Sequence, residues 1–118
     1  MIEADLVIFA YPIYWFHMPG QVKLFFDRTY MLYYRDTFAV RDYIKDKLEN
    51  KLYIGLLTGG AMGIETALEP LKTLAQMTKR RFESLVLMGG GLDNYVIAND
   101  PEKMKQAYEF GQKIGEQL

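Results

Sequence analysis

Two short stretches of this sequence carry residue types that can hold a ligand through backbone groups and ring surfaces. The first is Tyr11-Pro12-Ile13-Tyr14-Trp15-Phe16-His17, which follows the apolar run Leu6 to Ala10 and contains the single histidine and the single tryptophan. The second is Thr58-Gly59-Gly60-Ala61-Met62-Gly63, which follows the apolar run Leu52 to Leu57. In open α/β sheets ligands bind at the carboxyl ends of strands, which is where both stretches fall. Aromatic residues in such a place either wall a ligand or form a lid on the core. The glycines either bring backbone N–H groups against a ligand or make a plain turn. His17 reads first as a structural or solvent-facing residue, and its place in the loop also makes it a candidate for proton transfer.

The remaining motifs have plainer readings. Gly89-Gly90-Gly91 does not match the dinucleotide fingerprint, because Asn94 stands where the third glycine belongs, so it is a loop. Tyr30, Tyr33 and Tyr34 read as helix packing or a subunit contact. Asp27-Arg28 reads as a structural ion pair or interface element, and Lys79-Arg80-Arg81 as a solvated helix end.

Composition limits what these residues can be asked to do. At 118 residues the chain makes one domain, 1–118, with room for a core but short for an α/β sheet domain. A net charge of −1 provides no basic field for nucleic acid or an anionic membrane. The absence of cysteine excludes disulfides, thiolate metal sites and cysteine redox chemistry, and suits a reducing cytoplasm; no metal site is expected. No apolar run reaches membrane-spanning length, and an N-terminus with Glu3 and Asp5 is not a signal peptide. Met1 reads equally as a true start, an internal start or the edge of a fragment. Nine tyrosines, seven phenylalanines and seven methionines give capacity for a flat apolar ligand or a buried subunit interface.

The elements that must position the two stretches follow from periodicity. Leu6 to Ala10 has the character of a strand buried on both faces of a parallel sheet, ending at Tyr11-Pro12, since proline has no N–H for the ladder. Pro19 suits a first helical position, and Val22, Phe25, Phe26, Tyr30 and Tyr33 form one stripe of a helix reaching about Tyr34. Lys23 and Asp27 form an i,i+4 ion pair on its solvated side. Arg35 to Lys51 is weakly patterned and predicts a loop, with one helical turn around Tyr43-Ile44. Leu52 to Leu57 predicts a second buried strand in which Gly55 permits close backbone approach. Thr66 and Glu69 have capping-box spacing, which predicts a helix from there to about Lys79 with Leu68, Leu71, Leu74, Ala75 and Met77-Thr78 on its core side. Pro70 then lies in or just past the first turn. Ser84 to Met88 predicts a third strand. Asn99-Asp100-Pro101-Glu102 predicts a helix start, and Met104, Ala107, Tyr108, Gly111, Ile114 and Leu118 the buried face of the last helix. Strands alternating with helices imply a parallel sheet.

The run Asp5 to Phe16, with Met18-Pro19-Gly20-Gln21, Lys23 and Asp27-Arg28 after it, resembles the flavodoxin-like NAD(P)H:quinone and FMN reductases. Thr58-Gly59-Gly60 is similar to that family's loop after the fourth strand, and the last helix, with Tyr108 and Gly111, to its fifth helix. The resemblance implies a flavodoxin-like three-layer parallel sheet, truncated to about three strands and three helices. The family sheet has strand order 2-1-3-4-5, and this chain supplies what resembles strands three to five. The first strand, the phosphate-binding loop and helix after it, and the second strand with its helix are expected to be missing. The strand Leu6 to Ala10 is then left with an exposed apolar edge.

The resemblance further implies an FMN (or FAD) site made by Pro12, Tyr14, Trp15, Phe16, His17, Thr58, Gly59 and Gly60. Backbone N–H groups of Tyr14, Trp15 and Phe16 are expected to face the pyrimidine edge of the flavin ring, and those of Gly59 and Gly60 to face it from the second loop. Tyr14 and His17 are the catalytic candidates. The implied function is NAD(P)H-dependent reduction of a small-molecule electron acceptor, a quinone or flavin, in a cytoplasmic homo-oligomer. The alternative is a truncated module without turnover, an electron carrier or a subunit completing another chain, with a partner chain supplying the missing N-terminal strands.

Overall fold

The computed structural model describes residues 2–48, 51–90 and 96–118. Met1, Gly91, Asn94 and the end of the expected Arg35–Lys51 loop at positions 49 and 50 lie outside the described residues. Three strands, β1 (Leu6–Pro12), β2 (Leu52–Gly59) and β3 (Arg81–Met88), form one parallel sheet in the order β1-β2-β3. The helices are α1 (Gly20–Arg28), α2 (Asp42–Leu48), α3 (Ile64–Met77) and α4 (Pro101–Gly115), with short 3-10 turns at Thr29–Leu32 and Ile97–Asn99.

The main core lies on one face of the sheet, where Phe9, Tyr11, Tyr53 and Leu57 meet Ala67, Leu68, Leu71, Leu74 and Ala75 of α3. Val22 and Phe26 of α1 complete it. A smaller cluster on the other face joins Leu52 and Ile54 to Phe110 and Ile114 of α4, which makes three layers. Gly55 allows this closeness: a β-carbon there would lie 3.2 Å from Leu71 Cδ1 and 3.3 Å from Phe82 Cζ.

β1 ends at Tyr11-Pro12 as expected, with Pro12 forming its last pair, to Thr58. The Ile13 N–H donates to Thr58 O and the Asp5 carbonyl accepts from Leu52 N–H, so odd-numbered backbone groups face β2. Pro12 therefore has its nitrogen on the open side, where no ladder bond is lost. The strand is not, however, buried on both faces. Phe9 and Tyr11 are buried, whereas Ile8 is 53% exposed and Ala10 is exposed as well. Among the described residues no strand pairs with its outer side, so the expected apolar edge is present.

The helices differ where side chains compete with simple periodicity. α1 gives way at Thr29, whose hydroxyl donates back to the Phe26 carbonyl at 2.6 Å and tightens the chain into the 3-10 turn. Of its expected stripe, Phe25 and Tyr30 are half-exposed. The Lys23–Asp27 pair is present, and it rather than Arg28 satisfies Asp27. Ile44 and Leu48, one turn apart, bury a face that makes α2 a helix rather than a loop with a single turn.

α3 begins at Ile64 behind Gly63, so Thr66 and Glu69 lie inside the helix instead of capping it, and Pro70 falls in its second turn. Met77 is exposed and the helix stops there, while Thr78 is buried with its hydroxyl donating to Leu74 O at 2.7 Å. Asp100 caps α4 as expected, accepting from the Glu102 and Lys103 N–H groups. Its buried side, however, is Phe110 and Ile114; Met104, Tyr108 and Leu118 are exposed, because α4 seats over β2 and leaves Ile8 and Ala10 uncovered.

Arg80 is the clearest reversal. It is not a solvated helix end but is 7% exposed, its guanidinium 4.5 Å from the centre of the Tyr53 ring. Burial pulls its pKa below the usual arginine value. Among the described residues, its three side-chain nitrogens and the hydroxyls of Tyr33 and Tyr53 have no hydrogen-bond partner.

Candidate functional site

The tips of β1 and β2 lie side by side because the strands are adjacent, parallel and paired up to Pro12–Thr58. One further bond, Ile13 N–H to Thr58 O at 2.7 Å, ties the first loop to the second strand. The Tyr11 hydroxyl fixes the same tip from below, donating to the Ala67 carbonyl in the first turns of α3 at 2.9 Å. Burial raises the Tyr11 phenol to about 12, so it stays a neutral donor.

Beyond Ile13 the chain makes a two-residue hairpin. Tyr14 N–H donates to His17 O and His17 N–H to Tyr14 O, each at 2.9 Å. Trp15 and Phe16 occupy its two central positions with φ of 46° and 68°. A tight hairpin of this kind requires left-handed backbone at both central residues and ordinarily uses asparagine and glycine. A bulky residue there costs about 1–2 kcal/mol, so the pair stores strain that the surrounding contacts must offset.

The hairpin decides which backbone donors remain. Tyr14 N–H is committed to His17 and is not free for a ligand, contrary to the expectation for it. Trp15 N–H and Phe16 N–H have no acceptor among the described residues. On the second loop, Gly59 ends β2, pairs with Met88 and accepts from Gly89 N–H at 2.7 Å, so Gly60 is the first residue free of the ladder. A β-carbon at Gly59 would lie 3.1 Å from Met88 Sδ and 3.3 Å from Ile13 Cδ1, so its smallness serves packing beneath the loop.

An open groove of about 560 Å³ lies at this junction, lined by Ile13, Tyr14, Trp15, Phe16, Ala61 and Met62. It therefore brings together three of the expected residues, Tyr14, Trp15 and Phe16. Pro12, Thr58, Gly59 and Gly60 support its walls from the strand ends without lining it. His17 lines a different cavity, of about 760 Å³, among Phe26, Tyr30, Tyr33 and Phe38 on one side and residues of α3 on the other. Ile13, Ala61 and Met62 were missed by reasoning from motifs. The available signal was their position, one residue past the proline and within the glycine loop. Trp15 is 90% exposed. No group of acidic or histidine residues among the described residues is arranged to hold a metal.

Comparison with known proteins agrees with this architecture. A family model described as a flavodoxin-like fold matches residues 1–110. NAD(P)H dehydrogenase (quinone) 1 of Rattus norvegicus is 38% identical over 60 residues, 51% of this chain and 22% of that protein, so the chain spans about a fifth of that relative's length. The solved structure of Trp repressor binding protein from Bacillus subtilis superposes with a TM-score of 0.64 at 23% identity, over 90% of this chain and 67% of that one. That likeness concerns the fold alone.

Proposed function

Because the chain belongs to the flavodoxin-like fold family, we propose that it acts as an oxidoreductase that binds FMN and passes electrons from NAD(P)H to a quinone or flavin. The observation that carries this reading is the convergence of two adjacent strand tips on one apolar groove. One tip offers the N–H groups of Trp15 and Phe16, which have no acceptor among the described residues, and the other contributes Ala61 and Met62. The residues present fit the ring of a flavin. The groove is large enough for a flat tricyclic group, its walls are aromatic and aliphatic, and its free donors are backbone N–H groups.

A bound flavin supplies the hydride chemistry itself. This chain's part is to bind, orient and polarise. Trp15 and Phe16 N–H are the donors available to meet negative charge on the ring, by the logic of an oxyanion hole. The Trp15 indole and Phe16 phenyl provide the apolar wall against which the ring packs. Tyr14, with its N–H already committed, contributes its ring. His17 remains the candidate for moving a proton from the flank of the loop.

The open outer edge of β1 and the uncovered Ile8 and Ala10 favour a second component of the reading. A partner chain, or a second copy, covers that edge. A module without turnover is the competing account. Purified protein that is yellow, and bleaches on addition of NADPH, supports the reductase. Colour without bleaching supports a carrier, and a colourless oligomer supports a subunit that completes another chain.

A further inference from the structure

The strained turn at Trp15-Phe16 needs something to hold it, and the structure brings one residue of the second loop directly against it. A β-carbon at Gly63 would lie 2.8 Å from Phe16 Cα, 3.1 Å from Phe16 Cδ1 and 3.3 Å from Ile13 Cγ2. Real β-carbons do not approach backbone atoms that closely, and a backbone atom cannot swing aside as the end of a flexible side chain can. Gly63 is itself left-handed, with φ of 91°, and its carbonyl accepts the Ala67 N–H at 3.0 Å to start α3. Two left-handed segments from different loops thus abut, and one is glycine at the point where nothing larger fits.

We propose that Gly63 is a positioning residue for the flavin-facing turn. By presenting bare backbone to Phe16 Cα it lets α3 buttress the hairpin, holding Trp15 and Phe16 in the conformation that leaves their N–H groups without an acceptor among the described residues. The turn is then set by packing against the rigid start of a helix rather than by its own sequence, which is the opposite of what a tight hairpin prefers. The proposal rests on the flavin reading for its purpose but not for its geometry.

The test is amide hydrogen exchange on the full chain without cofactor, in the wild type and in Gly63→Ala and Gly63→Asn. Asparagine tolerates left-handed backbone, so it relieves the cost of φ while still carrying the β-carbon. Both variants are expected to lose at least about tenfold in protection at the Tyr14 and His17 amides, which report the two hairpin bonds, while Leu52 to Leu57 in β2 keep theirs. Flavin affinity, measured alongside, is expected to fall by about tenfold or more in both. Selective loss at Tyr14 and His17 in the variants, together with a wild type that binds no flavin, upholds the buttress and defeats the functional reading alone. Unchanged protection at those two amides overturns the proposal. So does a loss spread evenly through β2, or a loss seen with alanine and absent with asparagine, since either makes Gly63 only a helix cap.

Discussion

The hydroxyl of Tyr11, at the end of β1, donates to the carbonyl of Ala67 in α3 at 2.9 Å, fully out of solvent. This bond joins the strand that carries the aromatic loop to the helix that starts behind the glycine loop. A buried neutral hydrogen bond of this kind contributes about 1 kcal/mol. Tyr11→Phe is therefore expected to lower the thermal midpoint by roughly 4 °C in a domain of this size. An unchanged melting curve contradicts the anchoring role.

The same burial gives the protein an alkaline limit. The phenols of Tyr11 and Tyr33 are each pushed up to about 12, from an ordinary 10.0, by desolvation. Below pH 10 both are neutral whether the chain is folded or not, and their contribution is complete. Between 10 and 12 the unfolded chain ionises first and binds fewer protons, so stability falls as pH rises through that window. Denaturant midpoints measured across it, with tyrosinate absorbance followed in parallel, are expected to drop, and to drop less in Tyr11→Phe. A flat profile between 10 and 12 contradicts the burial of these hydroxyls.

Arg80 offers a test of sign. Its guanidinium stacks on Tyr53 but leaves three nitrogens without partners among the described residues. Stacking of this kind contributes about 1–2 kcal/mol, whereas relieving a buried, unpaired charge returns a comparable or larger amount. Arg80→Met, which keeps an unbranched flexible stem and removes the charge, is expected to leave the thermal midpoint unchanged or raise it. A fall of more than about 3 kcal/mol in unfolding free energy would mean that the charge meets an acceptor in solution.

Much of the fold was legible in the residues alone. The three apolar runs beginning at Leu6, Leu52 and Ser84 are strands of one parallel sheet, and Asp100 caps the last helix, because these depend on local pattern and local bonds. The burial of Arg80 was not legible, since a basic triplet after a helix reads as solvated until the Tyr53 ring is known to lie under it. Nor was the exposed face of α4: its apolar stripe at Met104, Tyr108 and Leu118 has helical spacing, but spacing does not say whether a neighbour stands opposite. The site divides the same way. The aromatic loop was evident from composition after a strand. That Tyr14 N–H closes a hairpin, and that Gly63 rather than Gly59 meets the loop, depend on contacts between segments far apart in the chain.

Trp15 should dominate the energetics of ligand binding at this site. Its ring is exposed and lines the groove, whereas Lys105 sits on the surface of α4 and pairs with Glu109. Trp15→Ala is expected to weaken FMN binding by about tenfold or more, while Lys105→Ala leaves it within about twofold. Fluorescence quenching of the flavin measures both. Equal effects contradict the placement of the ring.

Amide chemical-shift mapping on isotope-labelled protein during an FMN titration tests the central claim most directly, because it reports where a flavin binds irrespective of turnover. The largest saturable shifts are expected at the Trp15 and Phe16 amides and along the loop from Gly60 to Met62. Shifts centred instead on Tyr30, Phe38 and the facing side of α3, or none at FMN concentrations that saturate related flavoproteins, would contradict it.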